Sequence, residues 1–123
     1  MGSGVTAAAR RWNLSVVANR PVGGRYCELI LQAPELSASM RAGQFANIRC
    51  AEGMDPFLRR PFSVYRLDRR RGTVSFLYEV VGRGTRLMAE WTPGMVVDVL
   101  APLGNWFEPP PAGSTVALVA GGI

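Results

Sequence analysis

The chain has 123 residues, 48% of them hydrophobic and 19% charged. That balance suits one globular domain able to bury roughly two-thirds of its unfolded surface, and it excludes a disordered chain. The net charge of +5 comes from arginine alone, since the sequence holds no lysine and no histidine, so acid–base catalysis by His and Schiff-base chemistry by Lys are excluded within it.

Arginine carries a planar fork that can hold two phosphate oxygens at once. The arginines are scattered rather than gathered on one helix, which argues against a nucleic-acid partner. The longest apolar run near either end, Thr115–Ala120, is far short of the roughly 20 residues a membrane span needs. Residues 1–10 are small and flexible, with no apolar stretch after their charges, so a cytoplasmic location is expected rather than secretion. Cys27 and Cys50 fit no metal spacing and each falls in a strand-like run, which predicts two buried thiols, no disulfide and no metal site.

In chain order, Trp12–Ala18 alternates as a first strand, broken by Arg20-Pro21-Val22-Gly23-Gly24. Tyr26–Gln32 is the second. Ala33–Gly43 is predicted as a loop, and Gln44–Cys50 as a third strand of period two. Asp55-Pro56 opens a turn before a fourth strand over Phe62–Leu67. A hairpin link at Asp68–Gly72 leads into the fifth and strongest strand, Thr73–Val81. One short helix follows, with Thr85 as its N-cap and Leu87, Met88 and Trp91 on one face, until Pro93-Gly94 stops it. Met95–Leu100 is the sixth strand. Six short strands and one helix predict an all-β fold, a small antiparallel barrel, with a sandwich as the alternative that spacing leaves open.

The tail differs in character. Pro109-Pro110-Pro111-Ala112-Gly113 is a stiff linker, and Ser114–Ala120 is a continuous apolar run ending at Gly121-Gly122. Such a run predicts the first buried strand of a nucleotide-binding α/β domain, cut short at Ile123; the alternative is a last barrel strand. The expected organisation is therefore a flexible N-terminus over 1–10, a barrel over 11–108, a linker over 109–113 and the start of a truncated domain over 114–123.

Two segments carry chemistry. In Arg60-Pro61-Phe62-Ser63, Pro61 pushes Arg60 into an extended conformation, and Phe62 and Ser63 fall on opposite faces of the strand. A guanidinium, an aromatic ring and a hydroxyl in this order suit a dinucleotide with a pyrophosphate and a planar ring. In Gly82-Arg83-Gly84-Thr85, two glycines permit close backbone approach, and the N–H groups opening a helix favour a phosphate. Each segment alone has an ordinary structural explanation; their pairing is informative.

Arg60-Pro61-Phe62-Ser63 resembles the Arg-x-Tyr-Ser/Thr flavin motif of the ferredoxin–NADP reductase superfamily, with Phe62 where many members carry Tyr. More narrowly, five segments resemble the electron-transfer subunit of the NAD-dependent dihydroorotate dehydrogenases. They are Ala42–Phe45, Asp55–Ser63, Leu77–Thr85, Pro102–Phe107 and Val119–Ile123, in the order and spacing of that family. The resemblance implies a six-stranded Greek-key FAD barrel, followed by an NAD-binding domain and a cysteine-ligated [2Fe-2S] cluster. It implies that Arg60 binds the FAD pyrophosphate and Ser63 the flavin edge near N5. Leu77, Tyr78 and Glu79 would line the flavin and its ribitol or ribose, and Gly84 and Thr85 would hold the pyrophosphate from the helix end. Pro61 and Phe62 complete the cofactor-binding set, and no catalytic residue is expected.

By the same resemblance, electrons would pass from NADH through FAD and the cluster to a separate FMN-bearing catalytic subunit, which oxidises dihydroorotate in pyrimidine biosynthesis. The cluster and the NAD site are expected only beyond this stretch, because it carries no four-cysteine motif. The FAD domain of another NAD(P)H oxidoreductase subunit, hydrogenase- or ferredoxin-linked, is the first alternative. A nucleic-acid-binding β-barrel is the second; its strands would need denser aromatic and basic interleaving than this chain has.

Overall fold

The computed structural model describes residues 7–50 and 59–123, so the turn expected at Asp55-Pro56 lies outside the described residues. Seven strands form one antiparallel sheet: β1 (Arg10–Gly23), β2 (Tyr26–Gln32), β3 (Phe45–Ile48), β4 (Arg60–Ser63), β5 (Arg66–Asp68), β6 (Thr73–Glu79) and β7 (Val96–Leu103). Their order across the sheet is β4-β3-β7-β1-β2-β6-β5. Two short helices, α1 (Pro34–Ser39) and α2 (Arg83–Met88), complete it.

The strand count corrects the expected six. Phe62–Leu67 resolves into β4 and β5, which are consecutive in sequence yet form the two opposite edges of the sheet. The crossing falls between two neighbours. Val64 donates its N–H to Gln44 O at 3.0 Å on the β3 side, and Tyr65 donates to Ser75 O at 2.8 Å on the β6 side. One extended segment thus ties both edges together, and the sheet curls into a half-barrel rather than lying open with two bare edges.

The long strand β1 makes the curl possible. Its first half pairs with β7, from Arg10 opposite Ala101 to Ser15 opposite Val96. Its second half pairs with β2, from Ser15 opposite Gln32 to Gly23 opposite Tyr26, with irregularities at Val17 and Val22 that bend it. The strand therefore continues through Pro21, where a break was expected. Beyond Ser15 it pairs only with β2, and a proline is tolerated where one side of the ladder is open.

The expected loop at 33–43 contains α1. Pro34 occupies the first turn, Glu35 follows it, and Leu36 and Met40, four residues apart, are both fully buried. A six-residue helix shows too little periodicity to stand out in sequence. Inward-facing Leu29, Leu31, Ile48, Val74, Phe76 and Val99 fill the core, each at 0% exposure. Cys27 and Cys50 are both free thiols; Cys50 is buried as expected, but Cys27, near the start of β2, is only half-buried. Among the described residues no helix is long and apolar enough to cross a membrane.

Two motif segments of unassigned role close the barrel at one end. Gln44 donates its side-chain amide to Gly104 O at 3.0 Å, and Phe107 N–H donates to Ala42 O at 3.0 Å. Gly104 has φ +79°, and a Cβ there would stand 2.9 Å from the Phe45 ring. Only glycine combines that backbone with that closeness. Beyond it, residues 105–123 form neither strand nor helix, and Val116, Leu118 and Val119 are exposed. The run over 114–120 is thus not a strand here. A buried strand takes its stability from partners on both sides, and none of the seven strands pairs with it.

Candidate functional site

The seam where β4 comes against β6 builds a cavity of about 380 Å³, within the roughly 300–1,000 Å³ usual for small-molecule sites. β4 supplies Pro61, Phe62 and Ser63, and β6 supplies Leu77, Tyr78 and Glu79; Thr85 enters from α2. Seven of the nine expected binding residues therefore meet around one cavity. The other two, Arg60 and Gly84, touch each other. A Cβ on Gly84 would stand 3.4 Å from both Cγ and Nε of Arg60 and 3.1 Å from Cys50 Sγ. That spacing leaves a side chain little room, so glycine lets the helix start lie directly against the arginine.

The β4 pattern follows the two-residue period. Phe62 turns inward and packs on the core, while Pro61 and Ser63 are exposed. The Phe62 ring meets Tyr78 edge-on, with centroids 6.2 Å apart at 71°, a favoured aromatic geometry. Tyr78 itself is buried and donates its hydroxyl to Asn19 Oδ1 at 2.8 Å. Burial pushes the Tyr78 hydroxyl pKa upward, and the neighbouring Cys27 thiol adds to the effect, so this proton stays in place for the hydrogen bond. Glu79 accepts from Arg25 at 3.0 Å.

Helix α2 is held at both ends. Gly82, not Thr85, is its N-cap. Thr85 sits three residues in, where its Oγ1 accepts from the N–H groups of Val81 and Gly82 at 3.0 Å each and donates to Gly82 O at 3.2 Å. This is the N3 half of a capping box, in which the third helical residue reaches back to the N–H groups at the cap; glycine has no side chain to make the other half. The Thr85 hydroxyl is therefore fully engaged at the helix start. At the other end Asn19 donates to Met88 O at 2.8 Å and Trp91 O at 3.1 Å. Asn19 thus links the helix end to Tyr78, a role that sequence reasoning missed because the three partners lie 59 to 72 residues away.

Tyr65 was also missed. It lines the cavity beside Ser63 and is part-exposed, with the Arg66 guanidinium 4.9 Å from its ring centroid. The signal was present: Tyr65 lies two residues after Ser63, on the same face of an extended chain. Cys50 is buried, and burial pushes its thiol pKa upward against the pull of Arg60. A larger cavity of about 600 Å³, lined by Arg11, Arg49, Trp91 and Asp98 among others, contains none of the nine expected residues. Among the described residues no group of three or more His, Cys, Asp or Glu could hold a metal ion.

Solved structures share this architecture. One is an NADH-dependent reduced ferredoxin-NADP oxidoreductase described for flavin-based electron bifurcation, with TM-score 0.69 and 26% identity over 88% of this chain and 36% of that one. Another is the ferredoxin reductase of carbazole 1,9a-dioxygenase, with TM-score 0.72 and 24% identity over 87% of this chain and 32% of that one. The curled sheet, with its seam cavity and glycine-led helix, is a ferredoxin-reductase-type domain.

No protein-family profile matches the sequence, but curated relatives narrow the class. The Bacillus caldolyticus electron transfer subunit of dihydroorotate dehydrogenase B (NAD(+)) is 41% identical over 115 residues, 92% of this chain and 45% of the relative. The subunit of the same name from Desulforamulus reducens is 43% identical over 91 residues, 74% of this chain and 35% of the relative. The chain is a homologue of these dihydroorotate dehydrogenase B electron transfer subunits over 74% to 92% of its length, and it spans less than half of theirs.

Proposed function

We propose that this chain is the FAD-binding part of an electron-transfer subunit that passes electrons between NAD(H) and the FMN-bearing catalytic subunit of a dihydroorotate dehydrogenase, in the cytoplasm. The observation that carries the proposal is the convergence at the seam. Nine residues spread from Arg60 to Thr85 gather around one cavity and one Arg60–Gly84 contact, and the relatives matched along the chain bear the electron-transfer name.

The residues fit an FAD. Its flat, amphipathic ring suits a cavity walled by Leu77 and Val64 and edged by the Ser63 hydroxyl. Arg60 would hold the pyrophosphate with its fork, and the backbone N–H groups of Gly84 and Thr85 would face the same phosphates. Ser63 would bond the ring edge near N5, while Leu77, Tyr78 and Glu79 would line the ring and ribitol. Phe62 in place of tyrosine keeps the ring packing and gives up a hydroxyl contact. When bound, FAD would supply the chemistry that accepts a hydride and releases electrons singly. The Greek-key wind goes with the same reading, supported by β7 lying between β3 and β1.

With two cysteines in the chain, the four thiolates of a [2Fe-2S] cluster would come from the part of the relatives outside the match, as would the NADH site. The exposed run at 114–123 would then be where a nucleotide-binding domain continues.

Titration of the full-length protein with FAD, followed by flavin fluorescence, tests the reading. Arg60→Ala should weaken binding about 10- to 100-fold, the effect of losing hydrogen bonds to a charged group. Absence of any FAD binding would sink the proposal. The hydrogenase- or ferredoxin-linked alternative would instead gain from copurification with a partner that does not oxidise dihydroorotate.

A further inference from the structure

Arg59 and Arg60 are adjacent, and they serve different neighbours. Arg60 lies against Gly84 at the seam. Arg59 turns to β7, where its NH2 donates to Asp98 Oδ1 at 2.8 Å and its NH1 to the Asp98 carbonyl at 3.2 Å. The second carboxylate oxygen of Asp98 is occupied as well. It accepts from Arg11 Nε at 2.9 Å and lies 2.7 Å from Arg11 NH2. The Arg49 N–H donates to the Asp98 carbonyl at 3.0 Å, and its guanidinium stands 4.0 Å from Oδ2.

Asp98 is therefore gripped at both carboxylate oxygens and at its carbonyl, with a side chain only 13% exposed. The strand it steadies needs such a hold. β4 has four residues and ladder bonds to β3 alone, and a short edge strand is prone to fray at its first residue. Arg60 is that first residue.

We infer that Asp98 is a positioning residue for phosphate recognition: by clamping Arg59 it sets where the adjoining Arg60 guanidinium stands against Gly84. The inference rests on the FAD reading above and extends it to a residue on β7 that acts on the ligand only through its neighbour. Charge-assisted, two-pronged pairs fix direction as well as distance, which is what a guanidinium aimed at a pyrophosphate requires.

The test compares FAD with riboflavin, which has the ring and no phosphate, in titrations of the full-length protein. Asp98→Asn should raise the FAD Kd about tenfold and leave the riboflavin Kd within about twofold, a selectivity that general destabilisation would not produce. In an Arg60→Gln background the same substitution should have almost no further effect on FAD, because the residue it positions is gone. Unchanged FAD affinity in a folded Asp98→Asn protein overturns the inference. So does an equal loss of both flavins, or an additive effect in the Arg60→Gln background. Should Asp98→Asn fail to fold, Arg59→Lys, which keeps the charge but not the fork, is judged by the same comparison. A wild-type protein that binds neither flavin defeats the FAD reading and this inference together; a wild type that binds FAD beside an indifferent Asp98→Asn defeats the inference alone.

Discussion

Valine and leucine meet opposite fates in the barrel and in the tail. In the barrel, Leu29, Leu31 and Val74 are at 0% exposure. In the tail, Leu118 and Val119 stand at 93% and 95%. Both stretches have strand-like composition, yet only one is a strand. The difference is the presence of partners: β2 and β6 pair with each other along seven positions, while the tail pairs with none of the strands. An apolar run specifies burial only where a neighbour supplies hydrogen bonds and a surface to pack on.

Substitutions can break that comparison directly. Phe76→Ala in β6 should cost about 3–5 kcal/mol, as large-to-small changes of a buried ring do, while Leu118→Ala should stay within about 0.5 kcal/mol, as exposed sites do. Urea unfolding of both variants measures the contrast, and comparable losses would show that the tail is packed after all.

A smaller effect is expected at the helix entrance. Thr85→Val keeps the shape and removes the hydroxyl that serves Val81 and Gly82, so stability should fall by about 1 kcal/mol, the usual cost of a lost helix cap. Thermal unfolding of the variant would detect it, and an unchanged Tm would mean that water replaces the threonine.

The smallest effect is a pH dependence. Burial raises the Asp98 pKa, but hydrogen bonds from Arg11 and Arg59 outweigh it, and the carboxyl is held below its ordinary value. A depressed folded pKa means that the stabilisation is present above the ordinary value of about 3.9 and is lost as pH falls through the folded value. Arg11, Arg59 and Arg49 are the charges that face it. The stability advantage of wild type over Asp98→Asn should therefore shrink on acidification below about pH 4. An advantage constant from neutral to acid pH would remove Asp98 from the list of titrating contributors.

Much of the site was legible. Arg60 through Ser63 were singled out from residue type and order, and Leu77 through Glu79 from the family resemblance; in the structure Pro61–Ser63 and Leu77–Glu79 line one cavity, while Arg60 lies beside it against Gly84. The alternation of Phe62 and Ser63 followed from strand geometry alone. The errors lie where local pattern loses to long-range contact. Val64 and Tyr65 continue one extended run, and nothing in that run says that their N–H groups bond toward opposite ends of the sheet, one to Gln44 beside β3 and the other to Ser75 in β6. Thr85 had the look of an N-cap, but the cap is set by where the chain turns, at Gly82. The turn at Asp55-Pro56 and the five-segment match through Asp55–Leu58 fall outside the described residues.

Sequence by itself determined the residue types that can meet a phosphate and a flat ring, the periods that turn them outward, and the arginine-only charge. Those properties belong to a residue and its immediate neighbours. Tertiary structure alone decided that the two edges meet, that Arg59 is spent on Asp98 while Arg60 faces Gly84, and that Asn19 braces Tyr78 and α2 together. The contacts of Arg59, Arg60 and Asn19 join residues 24 to 72 positions apart, and only packing of the whole sheet selects among such pairings.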